Sequence, residues 1–231
     1  MTGEGLRSAA RLLAASRAGV AATEFAIVLP FLLGAGLMGL EVANRAIVQM
    51  QVSQLAAQIA DNASRIGDTS TLQNRKIYEH NLNDLFVGAD VQGSGGLNVF
   101  EHGRVIVSSL EVVPDTDDRQ YIHWQRCLGA KNHTSSYGIE GDGLDGGLPG
   151  MGPPGEEVWA FSDEAVIFVE IAYDYQSLVG ETFGFSNVVR ATASFTVRDD
   201  RDLTQIYQRD PDSPDPVADC GVYGSLADYT L

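Results

Sequence analysis

Between Val20 and Leu40 the chain reads VAATEFAIVLPFLLGAGLMGL, 21 residues whose only charge is Glu24. As a helix this run rises about 30 Å, the thickness of a bilayer's hydrocarbon core. Pro30, Gly34, Gly36 and Gly39 interrupt it, but both residue types are tolerated in spanning helices. The flanks differ sharply in charge. Residues 1–19 carry Arg7, Arg11 and Arg17 against Glu4, while residues 41–231 hold a net −17 of the chain's −16 total. The positive-inside rule therefore predicts a single-pass anchor with a cytoplasmic N-terminus and an exported body. A cleaved secretory signal peptide, with Phe25–Leu40 as its apolar core, is the competing reading. The length of the run, and a downstream flank that continues as a helix without a clear small-x-small site, favour retention.

The exported location bears on the two cysteines, Cys127 and Cys220, which both follow the anchor. In an oxidising compartment they can form one disulfide, closing a loop of roughly 90 residues. The alternative is two unrelated buried thiols. An acidic body repels phosphates, so nucleic acid is excluded as a partner. With 44% hydrophobic and 20% charged residues the chain is neither disordered nor polytopic.

Glu24 is awkward at the head of an apolar segment, because a carboxylate within a spanning helix needs a partner or water. Its neighbours supply a context. Arg17-Ala18-Gly19 precedes Val20-Ala21-Ala22-Thr23-Glu24-Phe25: a basic leader, a glycine, four residues, then glutamate and an aromatic. This resembles the prepilin-peptidase motif of type IV pilins. More narrowly, RAGVAATEFAIVLPFLL, with Pro30 in place, resembles the start of TadE/TadG-like proteins, minor pilins or pseudopilins of the tight-adherence (Flp) pilus. The match covers about 25 residues.

The resemblance implies a protein of the bacterial inner membrane, processed by prepilin peptidase between Gly19 and Val20. Glu24, Phe25 and Pro30 become recognition and assembly residues. The implied partners are other pilin or pseudopilin subunits, pilus-assembly membrane proteins and the lipid bilayer. After cleavage, Glu24 lies a little over one helical turn from the new amine on Val20, its own or a staggered neighbour's, and a carboxylate paired with an amine is tolerable in an apolar setting. Some members of the family remain uncleaved. A membrane-tethered binding module that never enters a filament is the alternative function.

Beyond the span, Val48, Val52, Leu55, Ile59, Ala63 and Ile66 recur at helical spacing. They predict one helix from Val20 to Ile66, its 41–66 half amphipathic and laid on the chain's own domain. Residues 71–87 predict a second helix, and a Gly-Ser turn at 93–96 then breaks the chain. Residues 97–113, 121–128, 158–175 and 188–198 predict four strands. The expected fold class is thus α+β: a long N-terminal helix packed on a small antiparallel sheet, within an exported domain over 67–231. The Gly/Pro-rich stretch 138–155 predicts a mobile loop, and the acidic tail 208–231 an extended segment pinned by Cys220.

No catalytic motif is present, so no enzyme activity and no cofactor are expected. Glu140, Asp142 and Asp145 invite a calcium reading, but they lack ordered ligand spacing. His123 and Cys127 stand four apart; on a strand this places them on one face some 13 Å apart, too far for one metal.

Overall fold

The computed structural model describes residues 18–68, 74–93, 96–179, 187–198 and 200–228. Arg7, Arg11 and Arg17 of the leader, residues 71–73 of the expected second helix, 94–95 of the Gly-Ser turn and 229–231 of the tail lie outside them. The elements in chain order are α1 (Ala18–Ala63), α2 (Glu79–Gly93), α3 (Val99–His102), β1 (Gly103–Val112), β2 (Gln120–Leu128), β3 (Ala165–Asp174) and β4 (Val188–Thr196), with a closing 3-10 turn at Leu226–Asp228. The fold is α+β. Two compact units divide the chain: Met1–Asn44 with Ser177–Gly184, and Arg45–Gln176 with Phe185–Leu231.

In the larger unit, the four strands form one antiparallel sheet of order β2-β1-β3-β4. Alternation along each strand gives the sheet two apolar faces. On one face Val105, Val107, Trp124, Ile167, Val169 and Ile171 meet Val52, Leu55, Ile59 and Ala63 of α1, together with Leu82 and Phe86 of α2. Val48 and Ile66 pack at the margin of this core. The apolar stripe of α1 thus covers the chain's own sheet, and fully burying each large side chain stabilises the unit by roughly 1.5–3 kcal/mol. Four residues after α1 ends, Gly67 adopts φ +132°, where a Cβ would sit 2.5 Å from Arg75 Cγ.

On the opposite face a smaller core joins Leu110, Ile122, Val166 and Phe168 to Met151 and Ala160. Here the structure departs from the expected mobile loop. Met151 is fully buried and pairs with Val158 through two backbone hydrogen bonds. The stretch also runs along the outer edge of β2: Gly141 N–H donates to the Ile122 carbonyl, Ile122 N–H to Asp142, and Leu148 N–H to Gln120. Glycine-rich composition allowed sharp backbone turns here, and the sheet edge supplied hydrogen-bond partners that composition does not reveal.

Three element boundaries also moved. The second helix begins at Glu79, because residues 75–79 pair with the segment that follows β4 instead: Arg75 N–H donates to the Asp200 carbonyl, Asp202 N–H to Arg75, and Tyr207 N–H to Ile77. Residues 99–102 form a helical turn rather than strand. Asn98 enters it in the left-handed region at φ 44°, and Phe100 drops edge-on against Phe86. Residues 158–164 form a loop. The Gln120 side chain clamps it, accepting from Ala160 N–H and donating to the Ala160 carbonyl.

Candidate functional site

Gly19, Val20, Glu24, Phe25 and Pro30 all lie on α1, in the smaller unit. The Gly19–Val20 bond lies at the N-terminal end of the described part of α1. Thr23 Oγ1 donates to the Val20 carbonyl at 2.8 Å. A Cβ on Gly19 would touch nothing within 4 Å. Pro30 lies inside the helix without ending it, although it removes one backbone hydrogen bond.

Successive residues of this half point to every side at 100° steps, and they are apolar and exposed: Phe25, Ile27, Val28, Phe31 (75% exposed), Leu32 and Leu33. A helix that is hydrophobic all round requires a protein core or lipid around it. Almost none of its apolar stretch is buried within the chain, and among the described residues it alone is long and apolar enough to cross a membrane. It is compatible with a single-pass anchor.

The two carboxylates bracketing the span have opposite surroundings. Glu24 is exposed. Glu41, immediately after Leu40, is 2% exposed, and its Oε2 accepts from the N–H groups of Leu178 (3.0 Å) and Val179 (3.1 Å). Glu41 thereby ties residues 177–179 to the helix at the end of its apolar run. The sequence reading missed this residue; its position flush against the span was the available signal.

In the larger unit Cys127 and Cys220 are bonded, with Cα atoms 4.7 Å apart, as the oxidising-compartment argument expected. Arg104, fully buried, reinforces the same closure. Its Nη1 donates to the carbonyls of Gly129 and Val222, its Nη2 to that of Cys220, and its guanidinium lies 4.2 Å from the Tyr223 ring centre. Gly129, at φ +128°, admits this approach, since a Cβ would collide with the Gly103 carbonyl. The tail is thus held by a covalent bond and by a buried cation that no sequence pattern announced.

A cavity of about 460 Å³ opens beside the disulfide, between Gln125, Arg126, His133, Glu140 and Val217. Its charged groups are already engaged. Arg126 makes a bidentate pair with buried Glu79, at 2.6 and 3.1 Å, and reaches Glu140 at 3.2 Å. Burial alone would lower the pKa of Arg126, but the Glu79 and Glu140 contacts outweigh it and raise it. Glu170, buried on the same sheet face, accepts from His133 Nε2 (2.8 Å), Ser136 Oγ (2.7 Å) and Ser136 N–H (3.0 Å). His133 and Ser136 converge on one carboxylate oxygen instead of forming a serine–histidine–acid relay, so the arrangement fixes residues 133–136.

The expected His123–Cys127 geometry needs correction. The ladder pairs Ser109 with Trp124 and Leu110 with Ile122, leaving His123 as the extra residue of a β-bulge, which re-aims its side chain. His123 Nδ1 meets Glu111 at 2.9 Å; that hydrogen bond raises its pKa against the lowering effect of burial. Burial and Glu111 push the neighbouring Tyr121 up to about 12. Of the calcium candidates, Glu140 binds Gln125 N–H and Arg126, and Asp142 accepts from Ile139 N–H. Among the described residues no group of three His, Cys, Asp or Glu could hold a metal ion. No protein-family model matches the chain, and neither does a curated protein or a solved structure.

Proposed function

We propose that the chain is a TadE/TadG-like minor pilin or pseudopilin, anchored in the bacterial inner membrane with its N-terminus cytoplasmic and its sheet domain exported. One observation carries the reading: the Gly19-x4-Glu24-Phe25 pattern opens a helix that is apolar on every side and passes through Pro30 unbroken. Such a surface suits lipid first and neighbouring helices afterwards. The Cys127–Cys220 bond fits an exported domain.

Prepilin peptidase cuts between Gly19 and Val20, at a glycine whose missing side chain lets the backbone enter a protease cleft. The new amine then sits one turn from Glu24, near the positive end of the helix dipole. The carboxylate offsets that amine, its own or that of a staggered subunit, and so drives lateral packing. The exported domain stabilises or caps the assembly.

N-terminal sequencing of the protein purified from membranes tests this directly. The expected terminus is Val20. A terminus at Met1 would defeat processing, and one just beyond Leu40 would defeat the anchor. Glu24→Ala separates the proposal from a tethered binding module: unchanged pilus output and unchanged co-purification with assembly proteins would favour the module.

A further inference from the structure

The sheet's two edges are finished in opposite ways. The outer edge of β2 is covered along its length by the Gly-rich stretch and by the tail, through Asp142, Gly141 and Leu148 at one end and Ala218 and Gly224 at the other. On β4, the bonds from Val197 N–H to Ala165 and from Tyr175 N–H to Asn187 fix the alternation. Odd-numbered residues exchange hydrogen bonds with β3, so the backbone groups of Arg190, Thr192, Ser194 and Thr196 point off the sheet. Gln49 Nε2 covers the Arg190 carbonyl at 2.9 Å. Among the described residues, nothing covers the outward backbone of Thr192, Ser194 and Thr196. Open backbone at the uncharged residues Thr192, Ser194 and Thr196 is a template for another strand.

The surroundings say which strand. A groove of about 680 Å³ lies beside the C-terminal end of β4, lined by Thr196 and by Trp159 and Phe161, which are 58% and 73% exposed. Its charged lining is wholly acidic: Asp117, Asp118 and Glu157. The matching basic strand is β4 itself, which carries Arg190 and is followed by Arg198.

Even-numbered β4 residues share the sheet face of Val166 and Phe168, the face on which the groove opens. Two β4 strands paired antiparallel, with Thr192 opposite Ser194, bring Arg190 of one copy opposite Thr196 of the other, at the acidic groove. The two-fold axis repeats the contact, and the two Arg190 side chains stay roughly 20 Å apart along the strands.

We propose that a second copy of this chain docks on the β4 edge, joining the two four-stranded sheets about a two-fold near Ala193. Association sets strand–strand hydrogen bonds at Thr192 and Ser194 and a reciprocal charge contact between Arg190 and the Asp117–Asp118–Glu157 rim. The inference does not rest on the pilin reading.

The test is sedimentation of the full chain in detergent micelles across a concentration series. A monomer–dimer equilibrium is expected. Ser194→Pro removes only an outward N–H, which edge strands tolerate, and is expected to abolish the dimer. Arg190→Glu should weaken it roughly tenfold or more. Combining Arg190→Glu with Asp117→Arg and Asp118→Arg should restore it. Both charge variants lie on the surface, so they keep the test open should the proline variant fail to fold. A chain that stays monomeric throughout overturns the proposal. So does a dimer indifferent to Ser194→Pro and Arg190→Glu, which would be held through α1, and so does a charge reversal that fails to rescue.

Discussion

Removing the Cys127–Cys220 bond is the sharpest perturbation the fold offers, because two mechanisms hold the same tail and they differ in what they predict. The bridge closes a separation of 93 residues. The chain-entropy relation assigns such a loop about 4.6 kcal/mol at 25 °C, through restriction of the unfolded chain. That is a third or more of the stability of an ordinary domain, and for a domain of this size it corresponds to a fall in Tm of roughly 10–18 °C.

Native contacts around the bridge do not depend on it. Cys127 N–H donates to Ala218 and Gly129 N–H to Gly224, and Arg104 still grips the Val222 and Cys220 carbonyls. Cys127→Ala with Cys220→Ala should therefore melt earlier while keeping a folded tail. Thermal unfolding by circular dichroism, paired with hydrogen exchange at the Cys127 and Gly129 amides, reads both quantities. A fall in Tm below about 3 °C would refute the entropic argument. Amides that exchange freely in the otherwise folded variant would show that the bridge holds the tail locally, and that Arg104 does not suffice.

Other perturbations follow from the buried charges. Glu79→Gln leaves Arg126 with Glu140 as its carboxylate partner and the Gln125 carbonyl as an acceptor, and should cost about 2–3 kcal/mol, less than for a fully orphaned charge because Glu140 stays within 3.2 Å; urea unfolding measures it. The Glu111 hydrogen bond raises the His123 pKa in the folded state, so its stabilisation is full below the unfolded value of about 6.5 and fades as pH rises through the folded value. The Tm difference between the native chain and His123→Gln should accordingly shrink from pH 6 upward, and a difference that grows would reverse the assignment. Burial and Glu111 hold Tyr121 protonated to about 12, so an ultraviolet titration at pH 11 should lack one tyrosinate that Tyr121→Phe also lacks. Glu41→Leu removes the acceptor of the Leu178 and Val179 amides; both should then exchange faster with solvent, while the amides of the β1–β3 ladder keep their protection.

What was legible in the sequence follows the range of the interactions involved. The span, the amphipathic stripe from Val48 to Ile66 and strand β4 declare themselves by local period, which survives without tertiary context, whereas β2 does so only weakly because the bulge at His123 breaks its alternation. The start of α2 at Glu79 was hidden, because Arg75 and Ile77 pair with residues more than a hundred positions away. The order in the Gly-rich stretch was hidden for the same reason, its acceptors being on β2. Nothing in the sequence pattern singled out Arg104 or Glu170. Only the fold shows them inside, where a buried ion persists by having three or more well-placed hydrogen bonds. The candidate processing bond is the reverse case, with all of its signal in residues 17–25 and no long-range contact needed to find it.

Glu24 and Glu41 bring these two kinds of evidence together. Each is a carboxylate at one end of the same apolar run, and each faces the same penalty for being taken out of water. Glu41 meets it within the chain, through two backbone N–H groups. For Glu24 no hydrogen bond or ion pair exists among the described residues, and an exposed carboxylate beside a fully apolar helix can be satisfied only by headgroup water or by a positive group. Headgroup water suffices for a lone anchor. In the proposed assembly, where helices of this kind pack against one another and water is lost, the amine that cleavage after Gly19 would create at Val20 is the nearest charge of the right sign. The different solutions at the two ends are the physical reason to propose the assembly contact at Glu24, and to treat Glu41 as part of the chain's own architecture.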